Sequence, residues 1–309
     1  MTPSFSRTLC RRLLPVLGGL ALTAFAREPA PLPSPSVARL DGDNSRLVNI
    51  ATRASTGPGS GALIAGFVIT GPGSKTVLVR GVGPSLAAFG LSNLLPDPGI
   101  TLIDGAGRPV AANDNFDPAI TPAGLVPGVG AFSLTHVNDA ALVATLAPGS
   151  YTVVVADTNN RPGLALVEVY EIGTTPGRIS SLSSRALVGA GPATAIAGFA
   201  VLGEKPRKFL IRGIGPTLTG FGVTGALADP ILALTTANGV LIASSDDWGS
   251  GGNPAEIVAA SAAVGAFALP GRSRDAALVV TLNPGNYTAL LGGTNNTGGV
   301  ALVEVYEVP

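Results

Sequence analysis

At 309 residues the chain has room for one large domain or two ordinary ones. Charged residues make up 12%, about half the usual share, and 42 Gly and 26 Pro exclude long helices through most of the length. Formal charge is zero and no basic stripe occurs, which argues against nucleic acid as a partner; the 46% apolar fraction is enough for a packed core.

The first segment reads as an export signal. Arg7, Arg11 and Arg12 form a positive n-region, Leu13 to Leu22 an apolar h-region, and Ala24-Phe25-Ala26 a small-x-small cleavage site. The apolar run is too short to span a bilayer comfortably, so residues 1–26 are expected to be removed after Ala26 rather than to anchor the protein. The Arg11-Arg12 pair leaves the general and twin-arginine export routes both open. Cys10 is the only cysteine and precedes the h-region, so cleavage removes it and with it any disulfide or thiolate metal site. Without the leader's three arginines, 16 basic residues face 19 acidic ones. Residues 27–44 are Pro-rich and read as an extended linker.

From there the chain repeats itself. Arg46-Leu47-Val48 recurs as Arg178-Ile179-Ser180, and Ile64-Ala65-Gly66-Phe67 as Ile196-Ala197-Gly198-Phe199. Leu78-Val79-Arg80-Gly81-Val82-Gly83-Pro84 recurs as Leu210-Ile211-Arg212-Gly213-Ile214-Gly215-Pro216, and Asp97-Pro98 as Asp229-Pro230, all at an offset of 132. Asp139 to Val143, Pro148 to Thr152 and Ala165 to Glu171 recur at an offset of 136, so copy two carries four extra residues between the counterparts of Phe116 and Asp139. Two modules are expected, at 45–172 and 173–309.

Short β-branched runs between Gly, Pro and Asn clusters predict strands at Arg46–Arg53, Ala62–Ile69, Thr76–Val82, Ile100–Ile103, Ala140–Leu146, Ser150–Val155 and Leu164–Ile172 in copy one. Strands ending Val110-Ala111-Ala112 and Leu241-Ile242-Ala243 lead into acidic turns. One helix is expected at Pro254–Val264, where Ala is dense and Pro254 suits a first turn. Leu-x-Pro-Gly-x-Tyr, ending at Tyr151 and at Tyr287, reads as a tyrosine corner, in which the hydroxyl bonds back to nearby backbone. The fold class expected is all-β: two tandem Greek-key or jelly-roll-like β-sandwich modules, each with its own core.

The pattern carried by Leu78 to Leu86, Asn113 to Phe116, Ala144 to Thr152 and Val300 to Tyr306 resembles repeats of secreted proteins of Verrucomicrobia and Acidobacteria. The second half of each copy is also similar to bacterial pre-peptidase C-terminal domains, small β-sandwiches appended to secreted enzymes. The resemblance implies a fold and a compartment but no reaction. No catalytic domain is expected beside the modules, which would set this chain apart from the appended arrangement.

Several constellations invite chemistry. Gly81-Val82-Gly83 and Gly213-Ile214-Gly215 look like fragments of a nucleotide loop, but the third glycine falls on Leu86 and Leu218 and no Lys-Ser or Lys-Thr follows. They read instead as strand ends turning into Pro84 and Pro216. His136, the sole histidine, has Arg272 as its counterpart, so a duplicated nucleophile–base pair is lacking. Trp248 replaces Phe116, and all four tyrosines occupy duplicated positions, which reads as framework rather than a sugar-stacking strip. Arg80 and Arg212 sit within apolar strands and need acids, with Glu168 and Glu304 or Asp139 and Asp275 as candidates. The acidic turns offer oxygen ligands to calcium at Asn113, Asp114, Asn115 and Asp117, and at Asp246 and Asp247. The same residue types form turns by bonding their own backbone, and that reading is preferred.

The expectation is an exported, non-catalytic structural, adhesive or assembly module, secreted or at the cell surface, with no membrane anchor of its own and no required cofactor. Its partner would be an envelope or extracellular protein or glycan. A calcium- or carbohydrate-binding module and a secreted hydrolase are the alternatives.

Overall fold

The computed structural model describes residues 45–57, 62–118, 129–189, 194–251 and 253–309. The signal peptide and linker expected at 1–44 lie outside the described residues, as does part of the segment where the copies differ in length.

The described chain is all-β. Copy one supplies β1 (Arg46–Thr56), β2 (Leu63–Thr70), β3 (Lys75–Val82), β4 (Pro98–Asp104), β5 (Pro109–Asn113), β6 (Ala140–Leu146), β7 (Gly149–Asp157) and β8 (Gly163–Ile172). Copy two supplies β9 (Arg178–Val188), β10 (Ala195–Leu202), β11 (Arg207–Ile214), β12 (Pro230–Thr236), β13 (Leu241–Ser245), β14 (Ala276–Leu282), β15 (Gly285–Gly293) and β16 (Gly299–Glu307). A helix, α1 (Pro254–Ala263), starts where Asn253 accepts a hydrogen bond from the Glu256 N–H and Pro254 occupies the first turn.

All pairing between these strands is antiparallel. One run has the order β6-β3-β8-β1-β10-β15-β12-β13. The other has the matching order β14-β11-β16-β9-β2-β7-β4-β5. The two runs meet at Ser55 and Leu187, which are equivalent positions of the two copies. Their inner faces pack on one another in a sandwich-like arrangement: Phe199 of β10 meets Phe209 of β11 at 6.0 Å between ring centroids.

The sequence reading expected a separate core for each copy. The buried apolar cluster instead runs through both, taking Leu47, Ile50 and Ala54 from β1 together with Ala197, Phe199 and Val201 from β10. The reason lies at the edges. Had the copies stood apart, β1 and β2, like β9 and β10, would each present an unpaired backbone edge. Here β1 bonds β10 in one run while β9 bonds β2 in the other, so both edges are covered reciprocally.

This junction has an approximate twofold axis. The register shift between Leu47 and Asn49 in β1 is matched by one opposite Ser181 and Ile179 in β9. The hydroxyls of Thr52 and Ser184, again equivalent positions, lie 2.7 Å apart and are almost fully buried. Glu171 ties the junction further, accepting from the Ile179 N–H at 2.6 Å and from Arg46 Nε at 3.1 Å, with Lys75 Nζ at 3.5 Å. A buried hydroxyl without its partner costs about 1–3 kcal/mol, whereas removing both is nearly neutral. Thr52→Val should therefore lower the urea midpoint, and Thr52→Val with Ser184→Ala should restore most of it. Equal midpoints for the wild type and the single variant would show that the axial bond contributes nothing.

Candidate functional site

The sequence-predicted residues fall into three groups. The first is a buried ionic network, present once in each copy. Strand register places Arg80 directly opposite Glu168 and Arg212 opposite Glu304. Arg80 Nε donates to Glu168 Oε2 at 2.7 Å, and Tyr170 donates its hydroxyl to the other carboxylate oxygen at 2.6 Å. Arg80 Nη1 donates to the Phe132 carbonyl at 2.5 Å, while the Phe132 ring lies 4.5 Å from the guanidinium carbon. In copy two Arg212 repeats these contacts with Glu304 at 2.8 Å, the Phe267 carbonyl at 2.6 Å and the Phe267 ring at 4.3 Å. Tyr306 donates to Glu304 at 2.7 Å. Burial, with the Glu168 charge beside it, pushes the Tyr170 hydroxyl well above the usual tyrosine value. Each arginine thus clips an overlying segment to the outer face of its strand.

Phe132 and Phe267 were not singled out from the sequence. A signal was available: Val129-Gly130-Ala131-Phe132 recurs as Val264-Gly265-Ala266-Phe267. It sits at an offset of 135, between the two offsets that align the rest of the chain, and so falls in the stretch read as divergent.

Asp139 and Asp275, the other candidates for the arginines, do something else. Asp139 Oδ1 accepts the Gly83 N–H at 2.8 Å and the Ser85 N–H at 3.5 Å, and its other oxygen takes the Ser85 hydroxyl. Asp275 holds Gly215 at 2.7 Å, the Thr217 N–H at 3.3 Å and the Thr217 hydroxyl. The backbone donors with which a glycine loop would cradle a phosphate are occupied by an internal carboxylate. Tyr151 and Tyr287 donate their hydroxyls to the carbonyls of Ala147 and Asn283, four residues back, at 2.9 Å and 2.7 Å. His136 lies in an exposed loop and accepts the Asn138 N–H at 3.2 Å. That bond is to backbone, and no hydrogen bond between His136 and a hydroxyl is found among the described residues.

The acidic turns differ between copies. In copy one Asn113 is engaged, accepting the Ala141 N–H at 2.9 Å, while Asp114, Asn115 and Asp117 are exposed and form no acidic cluster among the described residues. In copy two Asp246 and Asp247 are joined by Asp229, with carboxylate oxygens within 4.8 Å of one another. Asp229 was recognised only as a duplicated Asp-Pro. Its counterpart Asp97 is held by the Thr158 hydroxyl and by Asn159 Nδ2 at 3.2 Å. Asp229 also bears Arg274 as a counter-ion. Burial, followed by the charges of Asp229 and Asp247, raises the Asp246 carboxyl above the usual aspartate value.

That raised value fixes a sign. Asp246 contributes favourably below its unfolded pKa, about 3.9, and the contribution is lost as pH rises through the folded value. Asp246→Asn should therefore raise the melting midpoint at neutral pH, with the gain shrinking towards acid pH. An unchanged midpoint at pH 7 would show that the three carboxylates do not repel.

A groove of 930 Å3 lies on the outer face of the second run, where β2 of copy one meets β9 and β16 of copy two. Its floor includes Gly66, Ser181 and Ser183, and its walls include Ile64, Val264 and Leu302.

Comparison with known proteins adds little at the level of family. No protein-family model and no curated protein sequence matches the chain. Among solved structures, a DUF4785 family protein from Legionella pneumophila is 8% identical, with 90% of this chain and 89% of that one covered, at a TM-score of 0.20. Vicilin from hazelnut, Corylus avellana, is 7% identical, with 84% and 75% covered, at a TM-score of 0.18. No helix among the described residues is long and apolar enough to cross a membrane.

Proposed function

We propose that the chain is an exported, non-catalytic structural, adhesive or assembly component of the cell envelope or extracellular matrix, acting on an envelope or extracellular protein or glycan. It would consist of two tandem jelly-roll modules behind a cleaved signal peptide. The observation that carries this reading is the use of the duplicated polar groups. Arg80, Glu168, Asp139 and Tyr151, with their copy-two counterparts, all bond protein groups in ways that fix strands and loops. A site built for catalysis would present such groups to a substrate. The modular part of the reading rests on the strand orders β1-β8-β3-β6 and β2-β7-β4-β5 within copy one, repeated in copy two, which suit a double-sheet jelly roll. The resemblance to secreted bacterial repeats supports the compartment. Cell fractionation with N-terminal sequencing tests it: the protein should appear in envelope or medium fractions beginning at Arg27. Cytoplasmic material beginning at Met1 would overturn it.

A calcium-binding reading is favoured by one observation, the convergence of Asp229, Asp246 and Asp247. Calcium takes six to eight oxygens, and here it would have to displace Arg274 from Asp229. A ligand that binds only the native state raises its stability by mass action. Melts in chelator and in millimolar calcium decide the matter. An upward shift with calcium that Asp246→Asn abolishes would establish the site; identical midpoints would remove it.

A further inference from the structure

We propose that residues 40–44, the last part of the linker, dock in cis on copy two, with Asp43 held between Arg178 and Arg207 and Leu40 at the end of the groove that opens beside them. The inference goes beyond the function proposed above and does not depend on it.

The approximate twofold axis shows what such a docking place does. In copy two the residues before β9 form a bridge, Gly173 to Gly177, laid against the turn between β2 and β3 of copy one. Gly177 donates its N–H to the Ser74 carbonyl at 3.1 Å, and Thr175 Oγ1 accepts the Thr76 N–H at 3.2 Å. Lys75 Nζ donates to the carbonyls of Gly173 and Thr175 at 3.4 Å and 3.3 Å. A Cβ on Gly71 would come within 3.2 Å of the Pro176 carbonyl oxygen, so the bridge lies close on the turn.

The offset of 132 carries that turn onto the one between β10 and β11, and the bridge onto residues 41–45. Ser45 is already on this track. It lies against Gly203, the equivalent of Gly71, where a Cβ would meet Ser45 Cα at 2.3 Å. Its hydroxyl accepts the Lys205 N–H at 2.8 Å, and its carbonyl accepts Arg207 Nε at 2.8 Å. Arg207 is the equivalent of Lys75. Residues 41–44 lie outside the described residues, but the tether limits where they can be. Asp43 is two residues from Ser45, so its Cα stays within roughly 7 Å of Ser45 Cα, beside Arg207.

Exposure and charge both change in step with a different occupant. Beneath its bridge the Lys75 side chain is 2% exposed, whereas that of Arg207 is 33% exposed. The bridge reads Gly-Thr-Thr-Pro and is neutral; residues 41–44 read Asp-Gly-Asp-Asn. Facing them, Lys205 stands where copy one has Gly73. Arg178 and Arg207 flank Glu307 at 2.9 Å and 3.9 Å, and Glu204 is the other acid of the turn. Opposite charges held this close attract even near the surface, with screening by salt. Arg178, Arg207, Val308 and Pro309 also line the end of the groove, so a chain laid back past Pro309 brings Leu40 against Val308. A tethered segment competes for this seat at a high effective concentration, which favours it over a second copy.

Trypsin cuts after Arg39, next to the segment, and reports whether it is seated. In the full-length chain the Arg39–Leu40 bond should be cut at least about tenfold more slowly than in a peptide of residues 27–45, because the segment must first leave its seat. The protection should shrink as salt is raised. Asp43→Ala should bring the rate close to that of the peptide; the residue lies before β1, and a urea melt of the variant verifies that the fold is kept. Cleavage of the wild-type chain at the peptide's rate overturns the proposal, and so does protection that Asp43→Ala leaves intact. Protection that rises with protein concentration, alongside a dimer in light scattering, gives the seat to a second copy and overturns it as well.

Discussion

Arg80→Met should cost about 3–5 kcal/mol of stability, read as a fall in the urea midpoint, and Arg212→Met should do the same in copy two. The cost comes from what is left behind. Glu168 is 2% exposed, and without Arg80 its charge keeps only the Tyr170 hydroxyl. The Phe132 carbonyl loses a donor at the same time, and the Phe132 ring loses the guanidinium beneath it. Arg80→Met with Glu168→Leu should recover much of the loss, because a buried ion pair is often no better than an apolar pair of similar volume. Arg108→Ala is the control: that arginine is 79% exposed where it pairs with Asp104, and exposed pairs contribute about 0–1 kcal/mol. An Arg80→Met protein with the wild-type midpoint would show that the pair is not what holds the strand and its overlying segment.

Glu168 was one of two candidate partners for Arg80, beside Asp139, because alternation fixes which side of a strand a residue faces and the repeated spacing of the two copies left few acids to choose from. The strands and the tyrosine corners were readable for the same local reasons: β-branched runs, turn residues and short-range bonding. The junction was not. A strand bonded on both sides has the same composition whether its second neighbour belongs to its own copy or the other, so nothing in Arg46–Thr56 announces β10. The polar Thr52 and Ser184 are the one trace, and their bond becomes meaningful only once the axis between them is known. Asp229 escaped for a different reason: it immediately precedes β12 and Asp246 immediately follows β13, so only the pairing of that hairpin brings them together. The groove combines both difficulties, since its floor and walls come from strands of different copies.

Gly83→Ala and Gly215→Ala should be more damaging still than their neighbours Gly81→Ala and Gly213→Ala. A Cβ at Gly83 would overlap the Leu95 carbonyl oxygen, and one at Gly215 the Leu227 carbonyl oxygen. Neither oxygen is free to retreat, because Leu95 N–H is bonded to the Leu164 carbonyl at 2.8 Å and Leu227 N–H to the Val300 carbonyl at 2.9 Å. Gly83 is also fixed from its other side by Asp139 at 2.8 Å. At Gly81, by contrast, the new methyl would meet Ile100 Cγ2 at 2.5 Å, and a side chain can change rotamer. Overpacking of that kind costs about 1–3 kcal/mol, whereas a clash with fixed backbone should exceed it and abolish soluble folding in the worst case. The φ of Gly83 is −129°, so no left-handed backbone is involved, and the clash is with the Leu95 carbonyl oxygen. Denaturation midpoints of the four variants check the order. If Gly83→Ala proved as stable as Gly81→Ala, the Leu95 backbone would have to be mobile, and the loop's N–H groups could then leave Asp139 for an external anion. A large loss confined to Gly83 and Gly215 instead makes these glycines the packing hinges between a strand end and the segment that crosses it.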